Sequence, residues 1–517
     1  LPGAENLAAA SGEKREPLAI DSGVIDHVQN STVTIEFSCD CSKPAYRLPH
    51  VWERIVGSGH ALLALRADWQ RDLLQCRRDL GFEYVRFHGI LCDDLGTLTD
   101  QNHQLLYSFH NADQIFDFLV ANKMKPFVEL SFMPLALSSG DTIVFHYKAN
   151  VTPPRDYGAW ATLIAKLVGH WSERYGKEEV RSWFFEVWNE PNLPAFWTGS
   201  QADYFHLYRV TADAIKGIDS EFKIGGPASA NNAWAPEFIE FCNANRVARD
   251  FISTHHYPTD AFGKPGDDTL TELSESRIGV LRDDLVKLRK QAGRSPVYYT
   301  EWSTSSNARD ALHDESYAAA YVTHTNMGLG ELIEGYSYWT FSDIFEENYF
   351  PSIPFHGGFG LMNIHGVPKP SYRAFELLHR LGEDGFDVVG AHETVSAWVV
   401  GGPNVTTVLL TNLALPRHRI ERCTVRIGLT GLRDFASVAG ASIDDRNANA
   451  KAAWRDLGAP DYPSPTQIKS LIEASRLVWR DMKVDLHAGI ASVTVSVAPQ
   501  SVTAIEFVHG ERAEPFG

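Results

Sequence analysis

Between residues 50 and 383 the chain alternates short apolar runs with longer amphipathic ones, and this repeat constrains the fold more than any other feature. The short runs are Tyr84–His88, Pro126–Leu130, Trp183–Trp188, Lys223–Gly226, Phe251–His255, Val297–Glu301 and Tyr336–Trp339, with one more around Glu53–Gly59. Each is short and bounded, and the Trp183–Trp188 run is rich in aromatics, so they read as buried strands. The intervening segments carry helical periodicity: Arg66–Leu80, Asp113–Asn122, Arg155–Tyr175, Gln201–Ile218, Pro236–Asn243, Ser274–Gln291 and Ser316–Met327. Eight alternating units over about 330 residues predict an α/β chain closed into a (β/α)8 TIM barrel with enlarged loops. The rival is a doubly wound sheet, but no glycine-rich phosphate loop follows an early strand.

The flanks read differently. Residues 1–30 are a polar, mixed arm, and Ser31–Ser38 alternates Val33, Ile35 and Phe37 with Thr32, Thr34 and Glu36. That pattern is a half-buried strand with no neighbour nearby in sequence. A last helix opens at Pro368 and runs to about Leu381, after which period-2 segments take over: Ser396–Val400, Thr406–Thr411, Cys423–Leu429, Ala491–Val497 and Val502–Phe507. This predicts an accessory all-β sandwich over 384–517, interrupted by a polar, partly helical insertion at Ser464–Asp481. The early strand, within 31–49, is expected to pair into that sandwich, leaving 50–383 as the barrel.

Net charge is −18, with a sequence pI near 5.5. A nucleic-acid or anionic-membrane surface would be basic, so neither is an expected partner. No run of apolar residues is long enough for a transmembrane helix. The chain begins at Leu1 without a charged-then-apolar leader, which leaves secreted, periplasmic and cytoplasmic locations open. Six cysteines are too few for a disulfide framework, and no Cys/His run has zinc-ligand spacing.

The chemistry concentrates where strands end. In Trp183-Phe184-Phe185-Glu186-Val187-Trp188-Asn189-Glu190-Pro191, an aromatic strand stops in a carboxylate. Pro191 cannot donate to a ladder and biases Glu190 towards an extended conformation. A carboxylate at the mouth of a buried strand is a costly placement unless it is used. A barrel carries its active site at the C-terminal ends of its strands, and strand 7 ends in Thr300-Glu301-Trp302. Strands 4 and 7 face each other across an eight-stranded barrel. The ordinary reading of one strand-end Glu is a cap or an ion pair; two facing each other suit retaining glycoside hydrolysis, with carboxyls about 5–5.5 Å apart. Glu301 would be the ionised nucleophile. Glu190 would be the acid/base, its pKa raised by the charge on Glu301.

Trp188-Asn189-Glu190-Pro191 with Thr300-Glu301-Trp302 resembles the clan of retaining (β/α)8 glycosidases. More narrowly, the chain is similar to glycoside hydrolase family 39, the β-xylosidases and α-L-iduronidases. The resemblance rests on Tyr84-Val85-Arg86-Phe87-His88-Gly89-Ile90 with Asp93-Asp94, on Glu129-Leu130-Ser131-Phe132-Met133-Pro134, and on the segment from Glu186 to Leu193. Tyr338 to Glu347, Phe355 to Met362 and Pro368 to Tyr372 complete it, and these last three favour the xylosidase branch. It implies a barrel, a sandwich built partly from the N-terminal strand, and neither metal nor cofactor. It also implies an exo-acting β-xylosidase acting on xylo-oligosaccharides and aryl β-xylosides.

Further residues take roles from their position. Tyr84, Arg86 and His88 share one strand face, so Arg86 can hold Glu301 ionised and His88 can meet a sugar hydroxyl. By resemblance, Asn189 binds the 2-hydroxyl, His255 and Tyr257 form the family's His-x-Tyr, and Glu346 contacts the sugar, although Glu347 competes for that place. Trp339 is expected to stack on the sugar face and Phe132 to close the far side of the pocket. His256, on the opposite face from His255, reads as structural, and Glu129 and Glu186 as buried network residues. Alternatives are an α-L-arabinofuranosidase, an α-L-iduronidase (for which no basic clamp is evident), or a non-catalytic carbohydrate-binding protein. Oligomeric state is not legible.

Overall fold

Strands too apolar to face water on either side must be covered on both, and here they close on themselves. The computed structural model describes residues 34–260, 267–345, 347, 349 and 351–510. The arm read at 1–30 lies outside them. Eight parallel strands form a closed barrel: β1 (Ile55–His60), β2 (Tyr84–His88), β3 (Lys125–Leu130), β4 (Phe184–Val187), β5 (Lys223–Ser229), β6 (Phe251–His255), β7 (Val297–Trp302) and β8 (Gly335–Tyr338). The expected (β/α)8 architecture is therefore present. The first strand starts later than the sequence suggests because Val51–Glu53 is a 3-10 turn leading into it.

The alternation of side chains turns into layers inside the barrel. Ile55, Tyr84, Phe127, Phe184, Phe251 and Tyr298 form a buried cluster, with Phe127 and Phe184 stacked at 5.0 Å. Two residues further along, the inward positions turn polar: Arg86 on β2, Glu129 on β3, Glu186 on β4 and Thr300 on β7. Glu129 and Glu186 are register partners, as are Phe127 and Phe184 one layer below. An aromatic plug thus supports a charged layer, and the strand ends open above it.

One expected helix is two. Ser274–Gln291 resolves into helices Thr269–Glu275 and Val280–Ala292, because Ser276 is extended and its hydroxyl donates to the Pro258 carbonyl at 2.8 Å.

The strand Thr34–Asp40 pairs in parallel along its whole length with Cys423–Thr430, and in antiparallel with Val388–Val389. It thereby enters a five-stranded sheet with Ile490–Val497 and Asp485–His487. A seven-stranded sheet faces it, carrying Val395–Gly401, Val405–Asn412, Ser501–Val508 and Ser437–Ile443. Phe37, Val399, Val408, Ile427, Val493 and Ile505 fill the space between the sheets.

Helix Ser316–Met327 is buried nearly all round because it is packed against helix Pro370–His379 and strand Ser501–Val508. The insertion expected at Ser464–Asp481 contains helix Pro465–Ala474, and a further helix, Ala450–Asp456, precedes it. Their Ala450 and Leu471 pack on Phe355 and Val367, in the loop that follows β8.

Candidate active site

The chain leaves β4 by two left-handed steps, with φ 73° at Trp188 and 45° at Glu190. Neither residue is glycine, so the backbone is strained here and the surroundings must hold it. The Glu190 N–H donates to the Ala228 carbonyl at 2.8 Å, and Leu193 N–H returns to the Glu190 carbonyl at 3.0 Å. Trp188 Nε1 donates to the Phe196 carbonyl at 2.8 Å. Asn192 clasps Ala230 twice: its Nδ2 donates to the carbonyl at 3.2 Å, and its Oδ1 accepts from the amide at 2.8 Å. The extended conformation expected for Glu190 ahead of Pro191 is thus overridden by these tertiary hydrogen bonds.

Glu190, 9% exposed, and Glu301, 5% exposed at the end of β7, face each other. A carboxylate oxygen of each and a ring nitrogen of His255 all lie within 4.8 Å of one another. Arg86, fully buried beneath them, organises the group. Its Nε donates to Glu186 Oε2 at 2.6 Å, its Nη1 to Glu301 Oε1 at 2.7 Å and its Nη2 to Asn189 Oδ1 at 3.0 Å. Nη2 also lies 2.7 Å from Glu129 Oε2. Burial opposes the charge on Arg86, but Glu129, Glu186 and Glu301 outweigh it and hold the guanidinium firmly protonated. Thr300 Oγ1 donates to Glu186 Oε1 at 2.7 Å and closes the lower ring.

His255 lies between the two carboxylates. Its Nε2 is 3.4 Å from the Arg86 Nη2 donor, so it must accept there. The ring proton then sits on Nδ1, which donates to Glu190 Oε1 at 3.0 Å and approaches Glu301 Oε2 at 3.5 Å. Burial pushes the imidazole down to about 4, so it is neutral in this arrangement. Tyr257 donates its hydroxyl to Glu301 Oε2 at 3.0 Å. Burial, with the charges on Glu301 and Glu190, holds that phenol well above its ordinary value.

Glu190 is pushed up to about 8, first by burial and then by the Asp260 carboxylate. The sequence reading assigned that rise to Glu301; the low-dielectric pocket is the larger cause. Asp260 is fixed by the Tyr257 amide at 2.7 Å and by His256, 3.2 Å away. His256 also reaches Asp284 at 2.9 Å. Burial opposes its protonation, yet the two aspartates push it up to about 8, so it ties down the back of the site rather than facing it.

On the opposite side, His88 Nδ1 bonds Glu129 Oε2 at 2.7 Å, while its Nε2 lies 3.6 Å from Glu301 and 3.5 Å from Glu347. Burial and the carboxylates of Glu301, Glu190 and Glu129 drive Glu347 well above the usual carboxylate range. Glu346 lies outside the described residues. The only sequence signal for Glu347 was its adjacency to Glu346, which could not say which of the two turns inward. Trp339, one residue beyond β8, packs with its ring 4.7 Å from His88 and 5.9 Å from the Arg86 guanidinium carbon. Phe132 is fully buried, edge-on to Trp188 at 5.6 Å and 5.9 Å from His88, so it supports those side chains from behind.

The chain matches the model of glycosyl hydrolases family 39 over residues 35–484. It is 45% identical over 469 residues to a β-xylosidase of Caldicellulosiruptor saccharolyticus, an alignment covering 89% of this chain and 95% of that protein. The crystal structure of a family 39 enzyme from Xanthomonas axonopodis pv. citri superposes with a TM-score of 0.84 at 32% identity, covering 94% of this chain and all of the other. A monomeric β-xylosidase from Caulobacter crescentus gives a TM-score of 0.81 at 34% identity over 92% of this chain and all of that one. With this match spanning barrel and sandwich alike, the chain belongs to glycosyl hydrolases family 39.

Proposed function

We propose that this protein is a retaining, exo-acting β-xylosidase that removes terminal β-D-xylosyl residues from xylo-oligosaccharides through a covalent glycosyl-enzyme. One observation carries the reading: oxygens of Glu190 and Glu301 lie within 4.8 Å at the ends of β4 and β7. Retaining glycosidases hold their carboxyls about 5–5.5 Å apart, whereas inverting ones leave about 6.5–9.5 Å for a water.

The unequal surroundings of the two groups support a division of roles. Glu301, paired with Arg86 and bonded by Tyr257, is the nucleophile that attacks the anomeric carbon. Glu190, kept protonated by burial, gives its proton to the leaving oxygen. Because His255 donates to Oε1, that proton sits on Oε2. In the second step Glu190 takes a proton from the attacking water, and Glu301 departs as a carboxylate. Asn189 has its carbonyl oxygen committed to Arg86, which leaves its Nδ2 to donate to the 2-hydroxyl. His88 binds a hydroxyl, Trp339 offers its ring to the sugar face, and Glu346 keeps the sugar contact implied by the family.

A neutral pentose fits the electrostatics better than a uronate. Arg86 is already shared among Glu129, Glu186 and Glu301, so a sugar carboxylate would bring a further negative charge to a guanidinium already committed to three carboxylates. The relatives named as β-xylosidases support the same sugar.

Two experiments test this. Glu190→Ala should lower turnover of xylo-oligosaccharides by about 10²–10⁴-fold, with a smaller loss on aryl xylosides whose leaving groups need little acid help. Mass spectrometry after incubation with a 2-fluoroxylosyl donor should find one adduct, on Glu301. An adduct on another residue, or full turnover of xylo-oligosaccharides by folded Glu190→Ala, overturns the assignment.

A further inference from the structure

Three donors of different hardness converge where β1 and β2 end. His60 closes β1, while Cys92 and Asp94 lie on the loop that follows β2. One ligand atom from each lies within 4.8 Å of the others, and His60 Nε2 is 3.3 Å from Asp94 Oδ1. The arrangement is held in place. The His60 ring lies flat on Tyr147, with centroids 3.8 Å apart and planes at 4°. Gly89, at φ 75°, turns the chain so that the Cys92 amide donates back to its carbonyl at 3.1 Å. A Cβ at Gly89 would meet Cys92 Sγ at 2.9 Å and the His60 ring at 3.1 Å, so glycine leaves that space to the two side chains. His60 and Cys92 are buried, while the Asp94 side chain is 31% exposed and gives an approach from solvent.

We propose that His60, Cys92 and Asp94 form a three-ligand binding site for a zinc-like divalent cation. One nitrogen, one sulfur and one oxygen suit a borderline-soft ion; magnesium and calcium take oxygen ligands, and more of them. In a tetrahedral zinc site neighbouring donors stand about 3.3–3.8 Å apart, so small side-chain movements close this one. On binding, the Cys92 S–H bond breaks, its proton passes to solvent, and a metal–thiolate bond forms. The thiolate and the Asp94 carboxylate together balance the two positive charges, and a fourth position remains for water. The site was invisible to a search for ligand spacing because its members come from two different strand ends, 32 residues apart (92 − 60).

The test is titration of the metal-free, full-length protein with Co²⁺, followed by displacement with Zn²⁺. The expected result is one cobalt per chain with a thiolate-to-cobalt charge-transfer band, which Zn²⁺ removes. Cys92→Ser should abolish the band, and His60→Ala should weaken zinc binding at least tenfold in a competition assay with a chromophoric chelator. Absence of the band in the wild-type protein overturns the proposal whatever the variants do. So does a band that survives Cys92→Ser and disappears in Cys39→Ser, since the Cys39 and Cys41 sulfurs, 3.9 Å apart, are the other place where thiols converge among the described residues.

Discussion

Glu190 carries a stability cost as well as a proposed proton. Its carboxyl is raised from 4.5 to about 8 by burial and by Asp260, so the folded state holds a proton that the unfolded chain releases. The sign follows from linkage: stability falls as pH rises from about 4.5 to about 8 and is level above that, a loss on the order of 5 kcal/mol. Glu190→Gln removes the ionisable group. Its melting temperature should match the wild type near pH 4.5 and exceed it increasingly up to pH 8, as read by calorimetry across that range. Equal differences at both ends would show that burial is not what raises the group. The same pKa predicts that kcat/KM on xylosides declines as pH rises through about 8, when the acid is lost. Arg86 is the other decisive side chain. A lysine cannot reproduce a fork that meets Glu186, Glu301 and Asn189 at once. Arg86→Lys should cost about 3–5 kcal/mol, because buried carboxylates lose their partner, and should lower turnover with it. Denaturant unfolding and kinetics on one preparation check both. The partnership of Arg86 with Glu301 was legible from strand alternation; its sharing with Glu129 on β3 and with Glu186 and Asn189 on and just beyond β4 was not, because alternation does not say which inward residues of other strands meet one guanidinium.

Strand ends place the chemistry, and the strand interiors set its spacing. Alternation on β2, β3, β4 and β7 stacks an aromatic layer under a charged one, and the carboxylate pair stands above both. The period-2 pattern puts Tyr84, Arg86 and His88 on one face of β2. It could not reveal the left-handed turn at Glu190, since local preference ahead of Pro191 points the other way and only the Ala228 carbonyl and the Asn192–Ala230 clasp reverse it. Gly57 on β1 tests how closely the elements approach. A Cβ there would sit 2.4 Å from Trp339 Cε3, with Trp339 closing the neighbouring β8 end. Gly57→Ala should displace that indole, cost about 1–3 kcal/mol through overpacking, and raise KM for an aryl xyloside more than it lowers kcat. An unchanged KM would show that the indole does not contact the sugar. The helix break at Ser276 has the same kind of cause: a hydrogen bond to Pro258, outside the segment, overrides a pattern that reads as one helix.

Barrel and sandwich are joined by a continuous packed surface. Helix Ser316–Met327 is buried nearly all round because it lies against helix Pro370–His379 and the sandwich strand Ser501–Val508, and Arg380 pairs with the buried Glu506 at 2.9 Å. Arg380→Ala leaves that carboxylate unpartnered. It should cost about 1–3 kcal/mol in denaturant unfolding while kcat/KM of the folded enzyme stays unchanged. A fall in kcat/KM at temperatures where the protein is fully folded would mean that the sandwich acts on the site. The sequence alone determined the barrel, the period-2 domain after it and the two strand-end carboxylates. Those are written in local periodicity, and an eight-fold alternation leaves few ways to bury its strands. Tertiary structure alone decided three things about that pair: that burial, more than Glu301, raises Glu190; that His255 bridges the two carboxylates; and that Glu347 turns inward beside His88. A pKa depends on the dielectric and charges around a group, and these come from β2, β3, β6 and the loop after β8. Local periodicity places a residue on its own strand, but it does not specify how deeply the other elements bury that residue or which charges they bring beside it.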